Sequence, residues 1–327
     1  MILVTGANGF VGAAIARSLI DHDQEVCGLV RTTSDLRRLE KLDFSLRYAD
    51  IEDLEALEKA VAGCDTIIHC AARSSDWGSR TAFRQVNVGG VKNVIEAAER
   101  SGTVRSIIHL SSANVAGYGS RDVTEEDTSR ERLRFHYSRS KLEAEEVALR
   151  WCEAYNLQLT ILRPSAIYGP GDWKWSYEMV HRIAHGGWPL VDSGKAVFTP
   201  LYINNLCQAV ELTLEQDVTG GIYNITDDIT VSWREFSEKL AIHLGARPRF
   251  RNIPYPVALP AGVLLEAIHR LPLFRGEPIA TRYRVIRAAK DFHYSIEKAK
   301  KQLAYQPDTA LDTHLHTTVE WYRSVSE

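Results

Sequence analysis

Short, almost uninterrupted apolar runs recur along the first half of the chain. They fall at Ile2–Thr5, Glu25–Val30, Leu46–Ala49, Thr66–Ala71, Ser106–Ser111 and Gln158–Leu162. Runs that are apolar throughout, rather than alternating, mark strands covered on both faces of a parallel sheet. Between them apolar residues return every three or four positions, as at Val147, Trp151 and Tyr155, which is the helical period. This alternation predicts an α/β fold with a doubly wound parallel sheet and right-handed crossovers. The regularity breaks after Arg163-Pro164, where Gly169-Pro170-Gly171-Asp172 signals a turn. Beyond it Trp173, Trp175, Trp188 and several prolines replace the even spacing. Ile222–Thr226 reads as a further buried strand returning to the sheet. Ser232–Leu244 reads as a helix with Ser232 as its cap and Glu235 at the capping-box position.

The segment Gly6-Ala7-Asn8-Gly9-Phe10-Val11-Gly12 follows the first strand and opens a helix predicted from Phe10 to about Asp21. Glycines there let the backbone turn tightly and approach a pyrophosphate, whose charge sits on the free N–H groups of the helix start. Gly6, Asn8, Gly9, Phe10, Val11 and Gly12 are therefore candidate cofactor-binding residues, the alternative being a tight turn without a ligand. The expected architecture is a Rossmann-type doubly wound parallel sheet with a smaller, discontinuous C-terminal substrate domain. Residues 1–170 would bind the dinucleotide, and 171–327 mainly the substrate.

Tyr137 and Lys141 are four residues apart at the start of a predicted helix, so they share one face. A phenol with its ordinary pKa of about 10 is a poor base at neutral pH, and a neighbouring cation favours its ionised form. Ser111-Ser112 ends the fifth predicted strand, at the sheet edge where open α/β folds bind ligands. Ser112 is the candidate hydroxyl for a substrate oxygen, with Ser111 as the alternative.

These motifs resemble those of the short-chain dehydrogenase/reductase superfamily, whose loop is G-x-x-G-x-x-G. Ser111-Ser112-Ala113-Asn114-Val115-Ala116-Gly117 is similar to the S-S-x-x-V-x-G segment of the extended, NAD-dependent epimerase/dehydratase-like branch, in which the second serine is catalytic. The resemblance implies catalytic Ser112, Tyr137 and Lys141, with Tyr137 as acid/base, Ser112 polarising the substrate oxygen and Lys141 tuning Tyr137 and binding the nicotinamide ribose. It also implies that Asp50 and Ile51 contact adenine and that His69-Cys70-Ala71-Ala72 runs along the cofactor through Cys70, Ala71 and Ala72. Asn87 would hold the active-site helix geometry. The segment Arg163-Pro164-Ser165-Ala166-Ile167-Tyr168-Gly169-Pro170 would contribute Pro164, Ala166 and Ile167 to the cofactor site.

Arg31 stands at the end of the second strand, where NAD-binding chains place an acidic residue for the ribose 2′-hydroxyl. A guanidinium suits a 2′-phosphate, so NADP(H) is favoured and NAD(H) remains the alternative. Ala166 occupies the position where nucleotide-sugar enzymes of the branch carry asparagine. Asp76-Trp77-Gly78, Tyr223-Asn224-Ile225-Thr226-Asp227, Ile253-Pro254-Tyr255 and Tyr294-Ser295-Ile296-Glu297-Lys298-Ala299 look like the 3β-hydroxysteroid dehydrogenase-like group. Asn204, within Tyr202-Ile203-Asn204-Asn205, departs from that group's usual aspartate. The implied activity is hydride transfer to or from a ketone or secondary alcohol on a steroid-like or 3-oxo acyl substrate. A nucleotide-sugar 4-epimerase and a non-catalytic dinucleotide-binding regulator are the alternatives.

The 327 residues are 45% apolar and 25% charged, an ordinary globular balance, and the net charge of -3 offers nucleic acid nothing to bind. Cys27, Cys64, Cys70, Cys152 and Cys207 have no C-x-x-C spacing and read as free thiols in a reducing compartment. No secretory leader precedes the first strand, so a cytoplasmic location is expected, as is a homodimer. His181 and His185 lack the glutamate of a zinc motif, and no metal is expected. The apolar stretch Ile253–Phe274 carries Glu266, His269 and Arg270 and falls short of a membrane span. It reads as a lid over a hydrophobic substrate or a surface touching membrane, or as an ordinary core or dimer helix.

Overall fold

The computed structural model describes residues 1–40, 42–128, 133–215, 220–271, 273–274 and 276–326. Seven strands form one parallel sheet in the order Gly221–Ile225, Gln158–Pro164, Ser106–Leu110, Thr66–His69, Ile2–Thr5, Val26–Val30, Ser45–Tyr48. The first strand lies inside the sheet, and the chain builds outward from it in both directions. The order therefore reverses between Ile2–Thr5 and Thr66–His69, and the crevice beyond their carboxyl ends is where such a Rossmann-type sheet binds ligands.

Successive residues of one strand feed two cores. Ile2 and Val4 pack on one side, with Ile68, Ile108 and Leu162, while Leu3 packs on the other with Ile67, Ile107 and Ile161. Every expected strand is present, Ile2–Thr5 with the expected ends and the others with shifted ones. The Thr66–His69 strand stops before Ala71 because the Ala71 N–H donates to Thr5 Oγ1 at 3.1 Å rather than to the ladder. The Gln158–Pro164 strand runs longer because Pro164 still pairs with Ile225.

A second, four-stranded sheet joins Val231–Ser232, Val197–Phe198, Phe292–Tyr294 and Ser120–Val123. It ties the end of the chain to the segment just after Ser112. Ser120–Val123 was not predicted, because its first three residues are exposed and it has no apolar run. Helix Tyr255–His269 buries only Ala258, Gly262 and Glu266. Those residues sit four apart, on one narrow face, and Val257, Val263 and Leu264 are exposed. That face packs on helix Arg282–Ala289: a Cβ on Gly262 would sit 3.3 Å from the Arg282 nitrogen, and Glu266 Oε1 accepts from the Arg282 N–H at 2.7 Å. A core helix is thus ruled out for this stretch. All five cysteines are unpaired thiols, Cys70 half-buried and the others buried. Among the described residues no helix is long and apolar enough to cross a membrane.

Candidate active site

Gly6 turns with φ +65°, a conformation glycine adopts freely. Gly12 cannot carry a side chain, since its Cβ would lie 2.3 Å from the Gly6 carbonyl oxygen. The loop closes through Gly9 N–H to the Gly6 carbonyl at 2.9 Å, and helix Phe10–Asp21 starts at once. This helix has no side chain capping its start and no acidic residue in its first turn. Its leading N–H groups are left for an anion, favoured there by the helix dipole. The cradle fits a dinucleotide pyrophosphate.

Tyr137 lies in the first turn of helix His136–Ala154. The Ser112 hydroxyl acts on its phenol, favouring the ionised form. Ser112 begins the turn after strand Ser106–Leu110, and its Oγ accepts from the Asn114 N–H at 3.3 Å. Lys141 is buried on the same helix, and its Nζ donates to the Leu110 carbonyl at 2.7 Å. Asn87, in a π-helical turn at Gln85–Gly89, donates from Nδ2 to Ser140 Oγ at 2.9 Å. Ser140 Oγ in turn donates to the Tyr137 carbonyl at 2.8 Å. Asn87 Oδ1 accepts from the Arg73 N–H at 2.7 Å. Asn87 therefore couples the strand end beyond Ala72 to the turn of helix that carries Tyr137 and Lys141.

Ser111 points elsewhere. Its hydroxyl donates to Glu145, which is held by Arg163 through Nε at 2.9 Å and Nη2 at 2.6 Å. This buried ion pair locks the active-site helix onto the Gln158–Pro164 strand. Of the two serines, Ser112 is the one that influences the Tyr137 phenol.

The electrostatics depart from the expectation for Tyr137. Burial pushes its phenol up from the ordinary value, outweighing the Ser112 hydroxyl and the positive charge of Arg287. Burial also pulls Lys141 down, to about 8, against the opposing pull of Cys70 and Glu145. Sharing a helix face does not by itself lower the phenol, because Lys141 directs its amine at Leu110. Beneath Lys141, His69 and His109 stack at 5.5 Å. Burial and the Lys141 charge depress both, His69 to about 3.

Ile51 is buried under Gly90, whose Cβ would meet Ile51 Cδ1 at 2.5 Å, and Asp50 Oδ1 accepts from the Glu52 N–H. Ala71 lies against Gly6, within 2.9 Å of where a Gly6 Cβ would be. Pro164 ends its strand, and Ala166 and Ile167 pair with Pro200 and Leu201. Arg31 is exposed, with its N–H on Ser34 Oγ at 3.0 Å. His181 is engaged by the Tyr322 hydroxyl at 3.0 Å, and no metal-binding cluster occurs among the described residues. Asn204 is exposed, whereas Asn205 donates to the buried Asp227 at 2.7 Å.

Helix Arg282–Ala289 carries no sequence motif, yet it contributes to the site. Tyr283 accepts at its hydroxyl from Asn114 Nδ2 at 3.0 Å and packs edge-on against Phe135 at 5.1 Å. Arg287, one turn further, acts on the charge of Tyr137.

Over nearly its full length the chain is similar to known enzymes. It is 30% identical to the 2-alkyl-3-oxoalkanoate reductase of Stenotrophomonas maltophilia, over 96% of this chain and 97% of the relative. It is 30% identical to the 3-beta-hydroxysteroid dehydrogenase of Mycolicibacterium neoaurum, over 94% and 87%. The crystal structure of gox2253 superposes with a TM-score of 0.81 at 26% identity, covering 99% of this chain and 98% of that one. The NAD dependent epimerase/dehydratase family profile matches residues 2–226, and the chain belongs to that family.

Proposed function

We propose that the protein is an NAD(P)-dependent oxidoreductase acting on a ketone or secondary alcohol of an apolar substrate. One observation carries this reading: Ser112 at the end of its strand acts on the buried Tyr137 phenol, and Lys141 follows one turn along the same helix, whose first turn Asn87 holds through Ser140. The relatives named above are a 3-oxoalkanoate reductase and a hydroxysteroid dehydrogenase, which supports an apolar ketone or alcohol as substrate. The C-terminal residues 171–327 are proposed to form mainly the substrate side.

When bound, NAD(P)H supplies the hydride from its nicotinamide ring. Ser112 Oγ donates to the substrate oxygen and holds the carbonyl beside Tyr137. The Tyr137 hydroxyl gives that oxygen its proton as negative charge develops. Burial favours the neutral phenol, the form that donates in the reductive direction. The Lys141 ammonium would stabilise the phenolate left behind and bond the nicotinamide ribose. Asn87 fixes the helix turn that sets Tyr137 and Lys141.

The loop residues Gly6 to Gly12 would hold the pyrophosphate, with Asp50 and Ile51 at the adenine. Cys70, Ala71, Ala72, Pro164, Ala166 and Ile167 would line the path to the nicotinamide. NADP(H) is the preferred form in this reading. Arg31 follows the second strand directly and has no ion-pair partner among the described residues, while Arg37 is taken by Asp35 at 2.6 Å. The family likeness extends the reading to a cytoplasmic homodimer. The outward Val257, Val263 and Leu264 support membrane contact by their helix.

The test is a near-ultraviolet assay of NAD(P)H with ketones, hydroxysteroids and nucleotide sugars. Oxidation of the cofactor by an apolar ketone is expected. Interconversion of a nucleotide sugar with no net change in cofactor would overturn the reading.

A further inference from the structure

Two of the buried cysteines lie against each other. Cys27 is the second residue of strand Val26–Val30, and Cys64 follows helix Leu54–Val61 and precedes strand Thr66–His69. They are 37 residues apart along the chain, and both belong to the core on one face of the sheet, with Leu3 and Leu57. Their sulfurs are 3.8 Å apart, within hydrogen-bonding distance for thiols. A buried thiol in apolar surroundings is inert, because nothing near it favours the thiolate. Cys64 is not in that position. Arg47, on strand Ser45–Tyr48, donates from Nη1 to the Cys64 sulfur at 3.3 Å. The same nitrogen is anchored on the Ala60 carbonyl at 2.5 Å and the Ala62 carbonyl at 2.8 Å. The Cys27 S–H pulls the Cys64 thiol down, helped by the Arg47 charge and against burial, while Cys27 itself is pushed up. Burial pushes Cys70, Cys152 and Cys207 up as well. Arg47, Ala60 and Ala62 also line a surface groove of about 580 Å³. The guanidinium that holds Cys64 therefore faces solvent on its other side.

We propose that Cys64 and Cys27 are a modification site, a thiol pair that a hydroperoxide converts into an intramolecular disulfide, with Cys64 attacking and Cys27 resolving. The Cys64 thiolate attacks one peroxide oxygen. An S–O bond forms, the O–O bond breaks, and the departing oxygen takes a proton to leave as water or an alcohol. The Cys27 sulfur then attacks the Cys64 sulfur. The S–S bond forms as the S–O bond breaks, and the Cys27 proton leaves with the hydroxyl as water. Two thiols are oxidised by two electrons and one peroxide is reduced by two. The sulfurs close from 3.8 Å to the bonded distance of about 2.05 Å. Exchange with a dithiol restores both thiols. The pair lies away from Ser112, Tyr137 and Lys141, towards the starts of strands whose far ends carry the ligand-binding edge, and it does not depend on the oxidoreductase reading.

The experiment treats the full chain with hydrogen peroxide, blocks the remaining thiols with N-ethylmaleimide, and maps the peptides by mass spectrometry without reduction. A linked pair of peptides carrying Cys27 and Cys64 is expected, and dithiothreitol should abolish it. Cys70 is the half-buried cysteine, so exposure alone would make it react first. The Cys27–Cys64 link should instead form at least about tenfold faster than Cys70 is oxidised, since reactivity follows the thiolate. In Cys27→Ser, dimedone should trap a sulfenic acid on Cys64, and in Cys64→Ser the Cys27 thiol should stay reduced. The wild-type map decides the link by itself if either serine variant fails to fold. Oxidation of Cys70 while Cys27 and Cys64 remain thiols would overturn the proposal. A dimedone adduct on Cys27 in Cys64→Ser, formed as fast as that on Cys64 in Cys27→Ser, would overturn the order of attack.

Discussion

Ser111 and Ser112 are neighbours in sequence with separate tasks. Ser111 is bonded to Glu145 within the Arg163 ion pair, whereas Ser112 acts on the Tyr137 phenol. Ser112→Ala should lower kcat by about 10²–10³-fold, as for loss of one donor to a developing oxyanion, and leave cofactor affinity intact. Ser111→Ala should leave kcat close to wild type and cost about 1–3 kcal/mol of stability, by leaving a buried carboxylate oxygen short of a donor. Steady-state kinetics and urea unfolding of the two variants would read these effects. The reverse pattern would exchange their roles. At the cofactor end, Arg31→Ala should raise the KM for NADPH more than that for NADH, by about tenfold if a charged contact is lost. An equal rise in both would remove Arg31 from phosphate recognition.

At the scale of elements, legibility followed the locality of the signal. The glycine loop, the Tyr137–Lys141 spacing and the buried strands each lie within a few consecutive residues, and the chain alone exposes them. Tyr283 and Arg287 lie in a polar, arginine-rich helix with no motif, and only the fold brings them to Tyr137. The strand Ser120–Val123 was invisible for the same reason, since its pairing with Phe292–Tyr294 is decided far along the chain. Helix Tyr255–His269 is apolar on its outside, so composition alone suggested more burial than packing allows. Its backbone comes close to the next helix at Gly262, where no side chain fits comfortably against Thr281 and Arg282. Gly262→Val should displace helix Arg282–Ala289 at a cost of about 1–3 kcal/mol. The KM for the organic substrate should rise while the Kd for cofactor, measured by fluorescence titration, stays unchanged. A matching loss of cofactor affinity would show that the two helices support the whole site, not its substrate side.

For the whole molecule, the buried histidines under the site tie stability to pH. His69 and His109 have their values in the folded protein depressed by burial. The unfolded chain therefore binds protons below about pH 6.5 that the folded protein does not. Their contribution is fully present above that pH and is lost as pH falls towards about 3, the folded value of His69. Asp227 works in the other direction: burial raises it to about 7, so its penalty on folding is relieved as pH falls from about 7 towards 4. His109 has no partner on either ring nitrogen. His109→Leu removes one of the three titrations, and at neutral pH it should be neutral or stabilising. Its urea midpoint should fall less than that of wild type between pH 7.5 and pH 5. Parallel falls would mean that His109 is not held neutral in the folded protein.

The central claim is that Tyr137 protonates a substrate oxygen while a hydride reaches the adjoining carbon. The most direct measurement is a single-turnover reaction of an apolar ketone with NAD(P)H carrying deuterium at the transferred position of nicotinamide C4, for wild type and Tyr137→Phe. One deuterium is expected on the carbinol carbon of the wild-type product. The rate should be lower by about 10²–10⁴-fold in Tyr137→Phe, with cofactor binding retained. Product without deuterium at that carbon, or a Tyr137→Phe rate near that of wild type, would contradict that claim.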